Sequence, residues 1–156
     1  MQTSMNFNGS QTTKVLSGML VFIQFGLFFA ILYLGALVTT NMIGLLTQLS
    51  GLIIYILAYI SFNQKYFSFL PLPKKGAYII MHGPYSFLRH PMYLGMLLIT
   101  IPLTVEYFSH TIAVTQACFI VVTAILVYIE EYVFGNVDLN YKNYIKYTKM
   151  ILPMLF

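Results

Sequence analysis

The sequence predicts an all-α integral membrane bundle: about four transmembrane helices followed by a C-terminal interfacial helical segment. Three observations predict it. Of 156 residues, 59% are hydrophobic and only 8% are charged; the mean hydropathy is +0.80; and the chain holds successive apolar runs, the longest able to cross a hydrocarbon core of about 30 Å. Polar side chains are too few to cover a soluble globule of this size. The length suits one domain, 1–156, made of an N-terminal helical hairpin (1–60) and a core (61–156). Eight Lys and Arg against four Asp and Glu leave a net charge of +4, far below a nucleic-acid footprint and suited to setting membrane orientation. The single cysteine, Cys118, excludes an intramolecular disulfide and a Cys-based zinc site.

The first span runs from Val15 to Val38, broken in its apolar character only by Ser17 and Gln24. It is too long for the core of a signal peptide, and Met1 to Thr13 carries no positive charge, so a retained anchor is expected. The second span, Met42 to Ile60, follows after Thr39, Thr40 and Asn41, which predicts a tight hairpin. Gly44, Gly51 and Ala58 recur every seven residues along it, and Gly26 and Ala30 stand four apart on the first span. Such small-residue stripes let helices approach closely in lipid.

From Ser61 to His90 the chain turns polar, with Lys65, Lys74, Lys75, Arg89, Pro71, Pro73, Gly76 and Gly83, and is expected to lie outside the hydrocarbon. Pro91 suits the first position of a helix, and the apolar run from Met92 to Val105 forms the third span, with Pro102 a source of a kink. The fourth span, Thr111 to Ile129, ends at Glu130 and Glu131. Tyr132 to Phe156 mixes Lys142, Lys146 and Lys149 with Tyr141, Tyr144 and Tyr147 and is expected to lie at the interface. Four crossings put every Lys and Arg, both termini and the central loop on one side, which the positive-inside rule makes cytoplasmic.

The third and fourth spans form a return pair, so the start of one meets the end of the other. Rises of roughly 25 and 30 Å put Arg89, His90 and Tyr93 level with Glu130 and Glu131. Ionisable side chains at the edge of an apolar bundle are costly to desolvate and mark a site by default, although interface snorkelling is an alternative. Adjacent helical residues point about 100° apart. One glutamate is therefore expected to face the cavity and the other to hold Arg89 or a Lys of the tail. His110 sits near the opposite face as an interface histidine, and the scattered histidines with no HExxH make no metal site.

The run from His82 to Gly95, HGPYSFLRHPMYLG, resembles the signature of integral-membrane methyltransferases similar to isoprenylcysteine carboxyl methyltransferase. Upstream, Asn63 to Pro73 resembles that family's Asn, Phe-Ser and Pro-x-Pro approach; downstream, the Glu130, Glu131 pair precedes Tyr141, Tyr144 and Pro153 in its Tyr-x-x-Tyr and late-proline pattern. The resemblance implies an enzyme that binds S-adenosylmethionine without a Rossmann domain, in a cytoplasmic-side pocket capped by the loop and the tail. It implies catalytic roles for Arg89, Tyr93, Glu130 and Glu131. It implies cofactor contacts from His90, Pro91, Met92, Tyr93, Gly95 and Glu131; His82 and Tyr85, in the same loop at the Gly83-Pro84 turn, are further candidates for cofactor contact, with ordinary loop packing the alternative. The implied acceptor is a lipophilic or lipid-modified molecule in the bilayer, bearing a carboxylate, amine or thiol; neither metal nor nucleic acid is implied. For a carboxylate, Arg89 offers a bidentate clamp.

Three other readings bear on the same residues. NADPH-dependent sterol or steroid reductases share the RHPxYxG core but usually carry Asn where Met92 stands, with a basic, Cys-containing C-terminal segment. A phospholipid N-methyltransferase is a nearer variant, and the Gly-x-Gly cofactor motif expected of it is absent from this sequence. A non-catalytic membrane scaffold would bind no cofactor.

Overall fold

The computed structural model describes residues 11–61, 80–137 and 139–150. They form α1 (Gln11–Leu34), α2 (Met42–Ser61), a 3-10 turn (Gly83–Ser86), α3 (Pro91–Glu106), α4 (His110–Val137) and α5 (Leu139–Tyr147). The expected approach at Asn63 to Pro73, Lys65, Lys74, Lys75 and Pro153 lie outside the described residues. The bundle is all-helical, as expected. α1, α2 and α4 are long and apolar enough to cross a membrane, while α3 is a shorter apolar helix. At 16 residues α3 rises about 24 Å, just short of a typical hydrocarbon core.

The first two helices are consecutive but are not the packed pair that the short connection suggested. α2 packs on α3 and α1 packs on α4, with α3 also touching α1 and α4. Glycine decides this pairing. A Cβ on Gly51 would stand 2.8 Å from the Gly95 carbonyl oxygen and 2.7 Å from Leu98 Cβ, and a Cβ on Gly95 would stand 2.8 Å from the Gly51 carbonyl oxygen. The two backbones touch where neither has a side chain, the geometry that drives helix association when lipid offers no hydrophobic gain. Ala58, fully buried, continues this seam. Gly26 does not serve as one: the space beside it is open.

α1 buries Ser17, Gln24 and Ile31, seven residues apart, and its main packing partner is α4. Inside that contact Gln24 Nε2 donates to Thr123 Oγ1 at 3.0 Å, and the Phe28 and Phe119 rings lie 6.2 Å apart. The two helices are antiparallel, since Phe28 lies one turn after Gln24 and Phe119 one turn before Thr123.

At the end far from Arg89, Glu106 closes the last turn of α3 onto the α1–α2 connection. Its carboxylate accepts the Thr39 and Thr40 hydroxyls and the N–H groups of Thr40 (2.9 Å) and Asn41 (3.3 Å). Asn41 Oδ1 accepts the Ile43 N–H at 2.9 Å, an N-cap for α2. Gln48 adds a second tie, accepting the Thr39 N–H at 2.9 Å and donating to the Ile99 carbonyl at 3.2 Å. A carboxylate among N–H groups at a helix N-terminus is favoured by the local dipoles. The connection needs such an anchor because Ala36 and Leu37 both take positive φ, 56° and 67°.

α4 does not stop at the glutamates. It begins at His110 and continues to Val137, with Val133 buried beyond the pair. Glutamate is a good helix former and the residues after it are again apolar, so nothing local ends the helix at Ile129.

Candidate functional site

The site is assembled by a turn, a cap and a helix end. Gly83 has φ +62°, and a side chain there would collide with Ser61 at the end of α2; glycine thus lets the loop dock onto α2. Pro84 starts the 3-10 turn, and Tyr85 packs beneath it in a cluster with Ala58, Ile80 and Met92. His90 caps α3, Pro91 occupies its first turn, and α3 leaves with Tyr93 one turn up.

These elements deliver their side chains to the same depth as the glutamates of α4. Arg89 Nε stands 2.7 Å from Glu131 Oε1. His90 Nε2 is 2.9 Å from the same oxygen, and its Nδ1 is 3.1 Å from Glu130 Oε2. The Tyr93 hydroxyl donates to Glu130 Oε1 at 2.6 Å, and its ring stacks on His90 with centroids 5.8 Å apart. Both nitrogens of one imidazole therefore meet a carboxylate. A neutral imidazole has one donor and one acceptor, so only the imidazolium satisfies both contacts. Burial alone would push the His90 pKa down; the hydrogen bonds and charges of Glu130 and Glu131 outweigh it and raise the value to about 9.

The C-terminal segment is strapped across this cluster. The Arg89 guanidinium donates from a terminal nitrogen to the Thr148 carbonyl at 2.6 Å and the Ile145 carbonyl at 3.3 Å. Backbone bonds run from Arg89 N–H to Lys149 (2.8 Å), from His90 N–H to Met150 (3.1 Å) and from Lys149 N–H to Phe87 (2.9 Å). The Tyr144 hydroxyl donates to the Tyr85 carbonyl at 2.6 Å. Tyr141 is buried and hydrogen-bonded to Glu131; burial first, then the Glu131 charge, pushes its hydroxyl pKa well up. Burial likewise raises Tyr85, with Glu130 adding to the effect.

Of the residues singled out in the sequence, Arg89, His90, Tyr93, Glu130 and Glu131 form one network. Of the two glutamates, Glu131 is the one that holds Arg89. Both, however, share His90, which lies between them and so overcomes their angular separation. Pro91 is buried at the helix start, Tyr85 and Met92 sit behind the cluster toward α2, and Gly95 lies in the α2–α3 seam, about 200° around the helix from Tyr93. His82 is exposed ahead of the 3-10 turn and makes no side-chain cap there. His110 is exposed at the start of α4, beside the Phe108 ring. Tyr141 and Tyr144, which the residue pattern placed in the tail without a role, are buried against the cluster. Their three-residue spacing in a polar helix was the available signal. Among the described residues no group of three His, Cys, Asp or Glu side chains is arranged to hold a metal ion.

A helical membrane protein with a buried, charge-balanced cluster at the end of its apolar helices is the class that this architecture defines. The model of the phospholipid methyltransferase family matches residues 39–137, from the α1–α2 connection to the end of α4. The chain belongs to that family, and is a membrane methyltransferase by family. The match corrects the weight given to the missing Gly-x-Gly, which does not exclude this family, and it does not separately support the nearer placement beside isoprenylcysteine carboxyl methyltransferase. Neither a curated protein nor a solved structure matches the chain.

Proposed function

We propose that the protein transfers a methyl group from S-adenosylmethionine to an amine on a membrane lipid or similar lipophilic molecule, with Glu130 as the ligand-facing carboxylate. The observation that carries this reading is how the site's cations are already engaged. Arg89 is committed to Glu131 and to two tail carbonyls, and His90 is committed to both glutamates. Both His90 nitrogens and the Nε and Nη1 of Arg89 are engaged, so the bidentate clamp that Arg89 offered in the sequence is already spent on Glu131 and the tail. Among the described residues each Glu130 oxygen, by contrast, has one contact, His90 or Tyr93, which leaves lone pairs for a positively charged or N–H-bearing ligand. Glu131, holding Arg89, His90 and Tyr141, is the positioning residue.

Carboxylates beside aromatic faces are the donor set that a sulfonium and an ammonium require, so the residues fit the cofactor. When bound, S-adenosylmethionine supplies a methyl carbon on a positively charged sulfur, which leaves as a neutral thioether. The chain's own part is to hold and deprotonate. Glu130 accepts the ammonium proton of the acceptor, freeing the nitrogen lone pair for in-line attack; Tyr93 and His90 fix the Glu130 rotamer. The tail and helix walls exclude water, which strengthens each of these interactions. Lys14, Arg89, Lys146 and Lys149 lie at this end of the molecule, which supports placing the site and the termini on the cytoplasmic side of a multi-pass protein. The whole chain, hairpin and core, acts as one domain in this reading.

The test is transfer of label from methyl-tritiated S-adenosylmethionine to membrane lipids by wild type and Glu130→Gln. The expected product is a lipid whose labelled N-methyl group survives alkali, with turnover reduced at least 100-fold in the variant. An alkali-labile methyl ester would refute the amine assignment. Saturable binding of NADPH with no binding of S-adenosylmethionine or its demethylated product would favour the reductase, and binding of neither would favour the scaffold.

A further inference from the structure

We infer that Ser17, on α1, is a binding contact for the amine head of the acceptor held at Glu130; the inference rests on the amine methylation proposed above and adds a residue that the family match does not reach. Two contacts set the register of α1 against α4. Gln24 bonds to Thr123, and one turn further along α1 the Phe28 ring meets Phe119, one turn earlier in α4. Followed in the opposite direction, two turns back from Gln24 lead to Ser17, and two turns on from Thr123 lead to Glu130. Seven residues miss two full turns by only about 20°, so Ser17 stays on the face of Gln24 and Glu130 on the face of Thr123. The register therefore sets Ser17 opposite Glu130.

Ser17 is 1% exposed, which shows that α1 is still packed at this level and has not splayed into lipid. Its hydroxyl nevertheless has no hydrogen-bond partner among the described residues. A serine in a helix normally discharges its hydroxyl onto the carbonyl four residues before it, and a buried hydroxyl left unpaired is costly. The other polar side chain interrupting this span, Gln24, has a partner in Thr123. The spare oxygen is thus the one that faces the carboxylate with open lone pairs. An ammonium or amine group carries several N–H donors and is best held by more than one oxygen. Glu130 from α4 and Ser17 Oγ from α1 supply two, converging from opposite walls. α1 lies outside residues 39–137, so a contact from it is a means by which this chain selects its own acceptor within a shared chemistry.

The experiment compares wild type, Ser17→Ala and Gln24→Leu in detergent with dioleoylphosphatidylethanolamine in mixed micelles as the amine probe. Ser17→Ala is expected to raise KM for the probe about fivefold to tenfold with kcat within twofold. Affinity for S-adenosylhomocysteine should not change, and the thermal midpoint should not fall, because the substitution removes an unpaired polar group. Gln24→Leu breaks the α1–α4 hydrogen bond two turns away and should lower the midpoint without moving KM. Equal KM values for wild type and Ser17→Ala overturn the contact, and so does an equal rise in both variants, which would trace the effect to α1 packing. A wild type that binds S-adenosylhomocysteine but leaves the amine unmethylated overturns the amine reading itself, and the contact with it.

Discussion

Raising the pH from 6.5 to 9.5 should loosen the structure at one residue, His90. Its two ring nitrogens stand 3.1 and 2.9 Å from carboxylate oxygens of Glu130 and Glu131. Once neutral, the ring must turn a lone pair toward one of them. The ordinary histidine value is 6.5, and the folded value is raised to about 9. A group whose pKa rises on folding stabilises the folded state fully below its unfolded value, and that stabilisation is lost as the pH climbs through the folded value. At about 1.4 kcal/mol per unit, the gap is worth roughly 3 kcal/mol, or roughly 6 to 12 °C in the midpoint for a chain of this length. The assay is thermal unfolding in detergent at pH 6.5, 7.5, 8.5 and 9.5 for wild type and His90→Gln. Wild type should lose that margin steadily across the whole window, about half of it by pH 8 and nearly all of it by pH 9.5. The variant, which has nothing to titrate at this position, should start lower and change little across the window. Parallel losses in both proteins would show that His90 is not the titrating group and that the imidazolium assignment is wrong.

Two further outcomes follow from the packing. Gly51→Val places atoms where a Cβ already meets Leu98 Cβ at 2.7 Å and the Gly95 carbonyl oxygen at 2.8 Å; neither backbone can yield without separating α2 from α3, so a loss of at least about 2 kcal/mol is expected in chemical unfolding. Gly26→Val, in open space, should be nearly neutral in the same measurement. Arg89→Ala removes the donor to Ile145 and Thr148 and the buried partner of Glu131; it should lower the midpoint and speed proteolytic cleavage of the tail severalfold, and unchanged cleavage would mean that the backbone bonds to Lys149 and Met150 hold the strap unaided.

The depth of each functional group was legible in the sequence, because rise per residue is fixed and apolar runs mark where each helix enters and leaves lipid. That arithmetic alone put Arg89, His90 and Tyr93 level with Glu130 and Glu131, and the HGPYSFLRHPMYLG run with its Glu pair pointed to methyl transfer. Azimuth and pairing were not legible. In lipid every apolar face is equally at home, so hydropathy does not say which face of α1 meets which helix. It took the Gly51–Gly95 approach to pair α2 with α3 and the Gln24–Thr123 bond to pair α1 with α4. The end of α4 was misplaced for a related reason: a charge pair marks the edge of lipid, not the end of hydrogen bonding along a helix.

The sequence by itself determined that this is a helical membrane protein with a charged site at one end of its apolar spans. Tertiary structure alone decided that Glu131 takes Arg89 while Glu130 takes Tyr93, that His90 is shared by both, that Glu106 anchors the far connection, and that the tail closes over Arg89. Each of those outcomes depends on which polar groups meet across helices. Such meetings are set by close packing between backbones, a property of pairs of helices that no single stretch of residues carries.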